Sequence, residues 1–290
     1  MSDKQIYKPI RARRSLRLPI RGIDYSISEW GSRDDALLIY LHGFADTGST
    51  FQFVVDALRH DWFVVAPDWR GFGGTAVDST VFWFADYLAD LDHLISHYSP
   101  GVPVRLIGHS MGGNIAGLYA GAIPERIASF INIEGFGLAD TAPAEAPARY
   151  RKWIEQGRTM PAISARDDFS ALAKAIRRNN PRMTSARAEF VARQWAETSS
   201  DGRVRLRTHP AHKLPNPVLY RRAEAQACWR NATAEVLLVA GRQSDFEAPR
   251  ELPFRHQRRI WIEDCGHMPH FEQPAALAHE IEEFLLKPST

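Results

Sequence analysis

Ser110 lies in the run Gly108-His109-Ser110-Met111-Gly112, a serine held between glycines two positions away on either side. Ahead of it is an apolar run at residues 102–107, and behind it a stretch of small residues at 114–122. A serine at a turn from strand to helix is forced into an unusual backbone conformation that presents its hydroxyl, and Gly108 and Gly112 keep the flanks free of side-chain clash. The positive end of the following helix lies beneath it. A serine hydroxyl is a weak nucleophile, so it needs a base and a carboxylate that orients the base. With strand–turn–helix nucleophiles the chain order is Ser, acid, His. Asp245 follows the apolar run 236–240, and His267 follows the run 259–262. The expected row is therefore Ser110 Oγ to His267 Nε2, with Asp245 on His267 Nδ1. Its chemistry is acyl transfer to water.

Such a row needs a scaffold that brings three strand ends to one edge. Arg14–Ile20 and Ile23–Trp30 alternate charged and apolar residues and read as an antiparallel pair. Ala36–Leu41 and the runs 62–66, 102–107, 128–133, 236–240 and 259–262 are short and apolar, as strands buried on both faces must be. Phe84, Tyr87, Leu88, Leu91, Ile95 and Tyr98 share one helical face. Alternating buried strands and amphipathic helices predict an α/β fold with a mostly parallel, doubly wound sheet of eight strands.

Residues 138–216 break this alternation. They open with an Ala/Pro-rich stretch at 139–147, hold no good buried strand, and carry three helical faces. These are Tyr150/Trp153/Ile154/Gly157, Phe169/Leu172/Ala173/Ile176 and Ala188/Val191/Ala192/Trp195. A helical cap inserted after the sixth strand is expected, with a core formed by 1–137 and 217–290. A helix at 218–229 leads back to the sheet. The cap holds 15 basic and 8 acidic residues, whereas the rest of the chain holds 21 and 26. The near-neutral total of +2 thus conceals a basic insertion.

With these pieces in place, the chain resembles the α/β-hydrolase-fold serine hydrolases of the esterase, lipase and C–C bond hydrolase group. The matching motifs are His42-Gly43-Phe44, Asp68-Trp69-Arg70-Gly71-Phe72-Gly73, the Ser110 elbow, Asp245 and Gly266-His267, which span residues 36–271. The resemblance implies an oxyanion hole made by the backbone N–H groups of Phe44 and Met111, with Gly43 in the loop that carries the first. Relatives often place their acid three residues past the glycine of the seventh strand, but Asp245 lies four past Gly241. Some relatives carry the acid after the sixth strand, where this chain has Glu134, and that residue is the alternative. Relatives that open epoxides or dehalogenate use Asp in place of Ser110, so serine favours acyl transfer. Carboxylic ester hydrolysis is expected, with acyl-CoA thioester, lactone and C–C bond hydrolysis as alternatives, and a ligand-binding homologue as the reading from another class.

Several other residues invite a function and receive a plainer one. His42 is expected to anchor the oxyanion loop, and His109 and His270 to pack or line the site. Asp68 and Arg70 would brace their Gly-rich loop by a charge-assisted hydrogen bond. His93 and His97 have metal-compatible i, i+4 spacing without a third ligand, so no metal site is expected, nor any cofactor. Nucleic-acid binding would want a continuous basic stripe and a known module, whereas the cap cations are scattered among apolar faces. An Arg-rich surface is the default for them, and an anionic acyl substrate the sharper reading. At 44% hydrophobic and 24% charged the chain is an ordinary globular one. It has no apolar run of membrane-spanning length, no signal-peptide core at its N-terminus, and two cysteines without metal-ligand spacing. A cytoplasmic monomer or homodimer acting on a small acyl substrate is expected.

Overall fold

The computed structural model describes residues 6–79, 81–246 and 252–287. The chain begins with β1 (Arg14–Ile20), β2 (Ile23–Trp30) and β3 (Ala36–Leu41), then the short α1 (Gln52–Val55) and β4 (Trp62–Pro67). It continues with α2 (Phe84–Tyr98), β5 (Val104–His109), α3 (Met111–Ala122) and β6 (Ile127–Ile133). The sheet is completed much later by β10 (Glu235–Gly241) and β11 (Gln257–Ile262), and the order across it is β1-β2-β4-β3-β5-β6-β10-β11. Within this sheet, among the described residues, only β1/β2 and β2/β4 pair antiparallel. The other neighbours are parallel. This is the α/β-hydrolase fold with its mostly parallel eight-stranded sheet.

Alternation along each strand divides the core into two layers. Ile39 and Leu41 face α2, α3 and α7 (Arg222–Asn231), while Leu38 and Tyr40 face α1 and α9 (Pro274–Leu285). β5 starts two residues later than its apolar run suggests. Val102 is exposed, and Pro103 has no N–H to give a central ladder. The strand instead runs through His109, which delivers Ser110 at the sheet's C-terminal edge.

Between β6 and β10 the chain forms α4 (Ala146–Gly157), α5 (Phe169–Asn179) and α6 (Ser185–Trp195). It also forms a small antiparallel sheet that the sequence did not announce, made of β7 (Ala165–Arg166), β8 (Ala196–Thr198) and β9 (Val204–Leu206) in the order β7-β9-β8. Strands of two or three residues are too short to carry a legible alternation. α5 and α6 bury Leu172, Ala173, Ile176, Ala188, Val191 and Ala192 against Phe53 and Phe271 of the core. α4 is different, since none of its residues is buried. The predicted helix at 218–229 begins only at Arg222; the segment before it is held by Thr141, whose N–H and Oγ1 donate to Tyr220 O. After it come β10, β11, α8 (Pro269–Glu272) and α9. Among the described residues, no helix is long and apolar enough to cross a membrane.

Candidate active site

The turn after β5 places Ser110 at φ +50° and ψ −112°, a conformation that L-residues rarely adopt. The surrounding glycines make it possible. A Cβ on Gly112 would lie 2.1 Å from the Leu41 carbonyl oxygen, and one on Gly108 would lie 2.6 Å from that of Gly112. The Ser110 N–H donates to Ile133 O at 2.8 Å, which pins the elbow to the end of β6.

The loop after β11 brings His267 over Ser110. His267 Nε2 lies 3.1 Å from Ser110 Oγ, and Nδ1 lies 3.1 Å from Glu134 Oε2. The acid expected from the sequence, Asp245, is not the partner. Its side chain is exposed, and the carboxylate on His267 belongs to the residue named as the alternative. The reason lies at the end of β10. Three positions past Gly241, where relatives often carry the acid, this chain has Ser244, whose Oγ donates to Glu134 Oε2 at 2.7 Å. The Gly241 N–H donates to Glu134 Oε1 at 2.7 Å. The edge of β10 therefore supplies donors, and β6 supplies the charge. Glu134 itself sits at φ +57° with its side chain fully buried, and its N–H donates to Val239 O at 3.0 Å. A buried carboxylate must have such partners: Ser244 restrains Oε2, the oxygen that faces His267, and the Gly241 N–H holds Oε1.

The loop that carries Gly43 and Phe44 lies against the elbow, so close that a Cβ on Gly43 would be 3.2 Å from Ser110 Cβ and 2.7 Å from His109 Nδ1. Met111 is the first residue of α3, where an N–H has no intrahelical acceptor. His42 braces this loop. Its Nε2 accepts the Trp69 N–H at 2.8 Å, so its proton resides on Nδ1, which donates to Gly43 O at 2.7 Å. Burial holds the His42 ring below the usual histidine range. Asp68 accepts from the N–H groups of Gly48 and Gly74, both at 2.8 Å. Arg70 does not pair with Asp68 as the sequence suggested. It forks onto Asp90, with Nε to Oδ2 at 2.6 Å and Nη2 to Oδ1 at 2.7 Å.

His109 turns away from Ser110 and donates Nε2–H to the His267 carbonyl at 2.9 Å. Burial, with His270 and His267 close by, pushes its pKa well down. His270 Nε2 lies 3.1 Å from Asp46 Oδ2. Asp46 Oδ1 accepts from Thr47 N, Thr50 Oγ1 and, from the end of α6, Trp195 Nε1 at 2.7 Å. Asp46, His109 and His270 are buried with ligand atoms within 4.8 Å of one another. A cation there would have to displace the Asp46–His270 hydrogen bond, so the cluster fits a hydrogen-bond network better than a metal centre. His93 and His97 are exposed on α2. Cys265 is buried beside the site, and burial pushes its thiol far up, out of nucleophilic use.

Sequence reasoning did not single out four residues around this row. Ser244 had one readable signal, its register after Gly241. Phe246, 4.3 Å from the His267 ring between centroids, had none, and neither had Asp46 or Trp195. Their roles come from contacts between segments far apart in the chain.

A family model described as the alpha/beta hydrolase fold matches residues 36–274. A serine hydrolase-like protein of Danio rerio is 24% identical over 95% of this chain and 89% of its own length. A 3-hydroxybutyrate-oligomer hydrolase of Cupriavidus necator is 28% identical over 86% and 89%. Among solved structures, the thioesterase domain from the curacin biosynthetic pathway superposes with a TM-score of 0.85 at 23% identity, covering 94% of this chain and 99% of that one.

Proposed function

Since this chain belongs to the alpha/beta hydrolase family, we propose that it is a serine hydrolase that cleaves carboxylic esters through an acyl-enzyme. The observation that carries this reading is the unbroken row from Ser110 Oγ to His267 to Glu134, with both His267 nitrogens engaged at 3.1 Å. In the first step Oγ attacks the ester carbonyl while His267 Nε2 takes its proton. The Oγ–C bond forms, and the carbonyl π pair moves onto oxygen. Glu134 holds Nδ1–H, fixing the tautomer in which Nε2 is a base and offsetting the charge of the imidazolium. The N–H groups of Phe44 and Met111 receive the oxyanion. Collapse expels the alkoxide, which leaves as an alcohol with the proton from Nε2. Water then repeats the sequence on the acyl-serine and releases the acid.

The same row would serve a thioester, a lactone or an activated C–C bond, because the shape of the pocket, not the nucleophile, selects among them. A fluorophosphonate probe that labels Ser110 in the wild type and not in Ser110→Ala, together with turnover over p-nitrophenyl esters, acyl-CoA thioesters, lactones and ring-cleavage products, tests the reading. Folded wild-type protein that fails to label would instead favour a ligand-binding homologue.

A further inference from the structure

The main chain on either side of the His267 ring is held from outside the row. The His267 carbonyl accepts the His109 Nε2–H at 2.9 Å, and the N–H of Gly266, one residue earlier, donates to Glu272 Oε2 at 2.6 Å. A charged acceptor makes the second bond the shorter of the two. Glu272 ends α8, six residues past Gly266, and its side chain is 2% exposed. A carboxylate buried that deeply is costly unless its oxygens are partnered. Its further partners come from the cap. Arg182, in the turn between α5 and α6, donates its N–H to Glu272 Oε1 at 3.4 Å, and its Nη1 lies 3.8 Å from Oε2. Arg187, near the start of α6, donates from Nη1 to the carbonyls of Phe271 and Glu272 at 3.1 and 3.4 Å. Met183 of the same turn is buried in one cluster with Phe271.

These contacts form a continuous path from the cap to the base. It runs from the α5–α6 turn to Glu272, from Glu272 to Gly266, and along the chain to His267. The path matters because His267 must keep two contacts of 3.1 Å at once, to Ser110 Oγ and to Glu134 Oε2. A misplacement of about 1 Å can cost roughly 10²-fold in rate. Ser244 and Gly241 fix the carboxylate end of the row. Gln243 pins Cys265 from the β10 side, with Gln243 N–H to Cys265 O at 2.9 Å and Cys265 N–H to Gln243 Oε1 at 2.7 Å. Glu272 is the corresponding tie on the cap side. We propose that Glu272 is a positioning residue for His267, kept in place by the cap through Arg182 and Arg187, so that seating of the α5–α6 turn on α8 sets the base over Ser110. The inference rests on reading Ser110, His267 and Glu134 as a catalytic row.

Glu272→Gln keeps the shape but replaces one acceptor oxygen with a donor, so one of the two N–H groups on the carboxylate loses its partner. For a p-nitrophenyl ester, kcat should fall by roughly ten- to a hundredfold while KM stays within about twofold. The rate at which a fluorophosphonate labels Ser110 should fall in parallel, because that step also needs His267 in place. Arg182→Ala, at a side chain that is one-third exposed, should lower both rates by about two- to fivefold. A merely structural role would shift the urea midpoint and leave both rates of the folded protein alone. Wild-type labelling and turnover in folded Glu272→Gln would therefore overturn the proposal, and a loss with Glu272→Gln but none with Arg182→Ala would overturn the cap's part in it. The ring itself can be read by proton NMR, through the far-downfield resonance of the His267 Nδ1–H that faces Glu134. It should broaden or shift in both variants, and an unmoved resonance would count against the assignment. If Glu272→Gln does not fold, Arg182→Ala carries both readings. Wild-type protein that neither labels nor turns over esters would refute the hydrolase reading alone, with the resonance still deciding for or against Glu272.

Discussion

Glu134 Oε2 stands 3.1 Å from His267 Nδ1 across 133 residues of sequence, and Ser244 Oγ donates to the same oxygen at 2.7 Å. The charge that orients the imidazole thus comes from the end of β6, while β10 contributes only hydrogen-bond donors.

This arrangement predicts the ranking of two isosteric changes. Glu134→Gln keeps the shape and removes the charge, and kcat should fall by about 10³- to 10⁴-fold, the scale seen when a triad acid is neutralised. Asp245→Asn, at an exposed side chain, should stay within about threefold of wild type. Steady-state turnover of a p-nitrophenyl ester measures both, and a larger loss from Asp245→Asn would restore Asp245 as the acid.

Ser244→Ala removes one of the donors to Glu134 and leaves the others. A hydrogen bond to a charged group contributes about 1.5–3 kcal/mol, so kcat should drop by roughly ten- to a hundredfold, less than for Glu134→Gln. KM should change little, because the side chain acts on the carboxylate. An unchanged kcat would mean that Gly241 N–H and His267 suffice to hold Glu134.

Acid should destabilise the fold well before the carboxylates are protonated. His212 is stacked between Phe72 and Phe82, with ring centroids 4.0 and 3.6 Å away, and burial pushes its pKa down to about 4. His42 and His109 are held below the usual range by the same cause. A histidine whose folded pKa lies below the unfolded value of about 6.5 takes up its proton more readily when unfolded. Its contribution is complete above about pH 6.5 and is lost as the pH falls toward 4. His212 alone accounts for about 2–3 kcal/mol of that loss. Asp46 has the same sign at lower pH. Burial raises its pKa, but the hydrogen bond and charge of His270 outweigh this and leave it depressed, so its contribution fades as it is protonated. Urea unfolding between pH 7 and 4 measures the slope, and a flat profile would contradict it.

Asp46 joins three segments: its own loop beside Phe44, α8 through His270, and α6 through Trp195. Asp46→Ala strands the donors of Thr47, Thr50, Trp195 and His270, and should cost about 3–5 kcal/mol in denaturant unfolding. Trp195→Phe deletes a single N–H and should cost about 1.5–3 kcal/mol. Equal losses for the two would show that the carboxylate matters only through α6.

The basic insertion should steer little. Arg193 pairs with Glu189, Arg205 with Asp201 and Arg203 with Asp167, and Arg187 donates to the carbonyls of Phe271 and Glu272. Raising salt from 50 to 500 mM should therefore change kcat/KM for a neutral ester by less than about twofold. A steep fall with anionic esters alone would instead show that the cap attracts them by charge.

The sequence by itself determined the sheet and the strand–turn–helix elbow that carries Ser110. β1 and β2 have the bounds that their alternation predicted, and β3 those of its short apolar run, because such patterns are a local property of the chain. Ser110 was legible for the same reason, its glycines and flanking elements being contiguous with it. Which carboxylate meets His267 was not. Asp245 and Glu134 both follow strand ends, and register along one strand cannot tell which carboxylate faces His267. That depends on how the ends of β6 and β10 meet, where Glu134 at φ +57° turns inward and Ser244 occupies the place that relatives give to the acid. The tertiary structure alone also decided the Trp195–Asp46 contact, since it joins segments more than a hundred residues apart. Contacts within one element are encoded by spacing, whereas contacts between elements appear only once packing has fixed their distances.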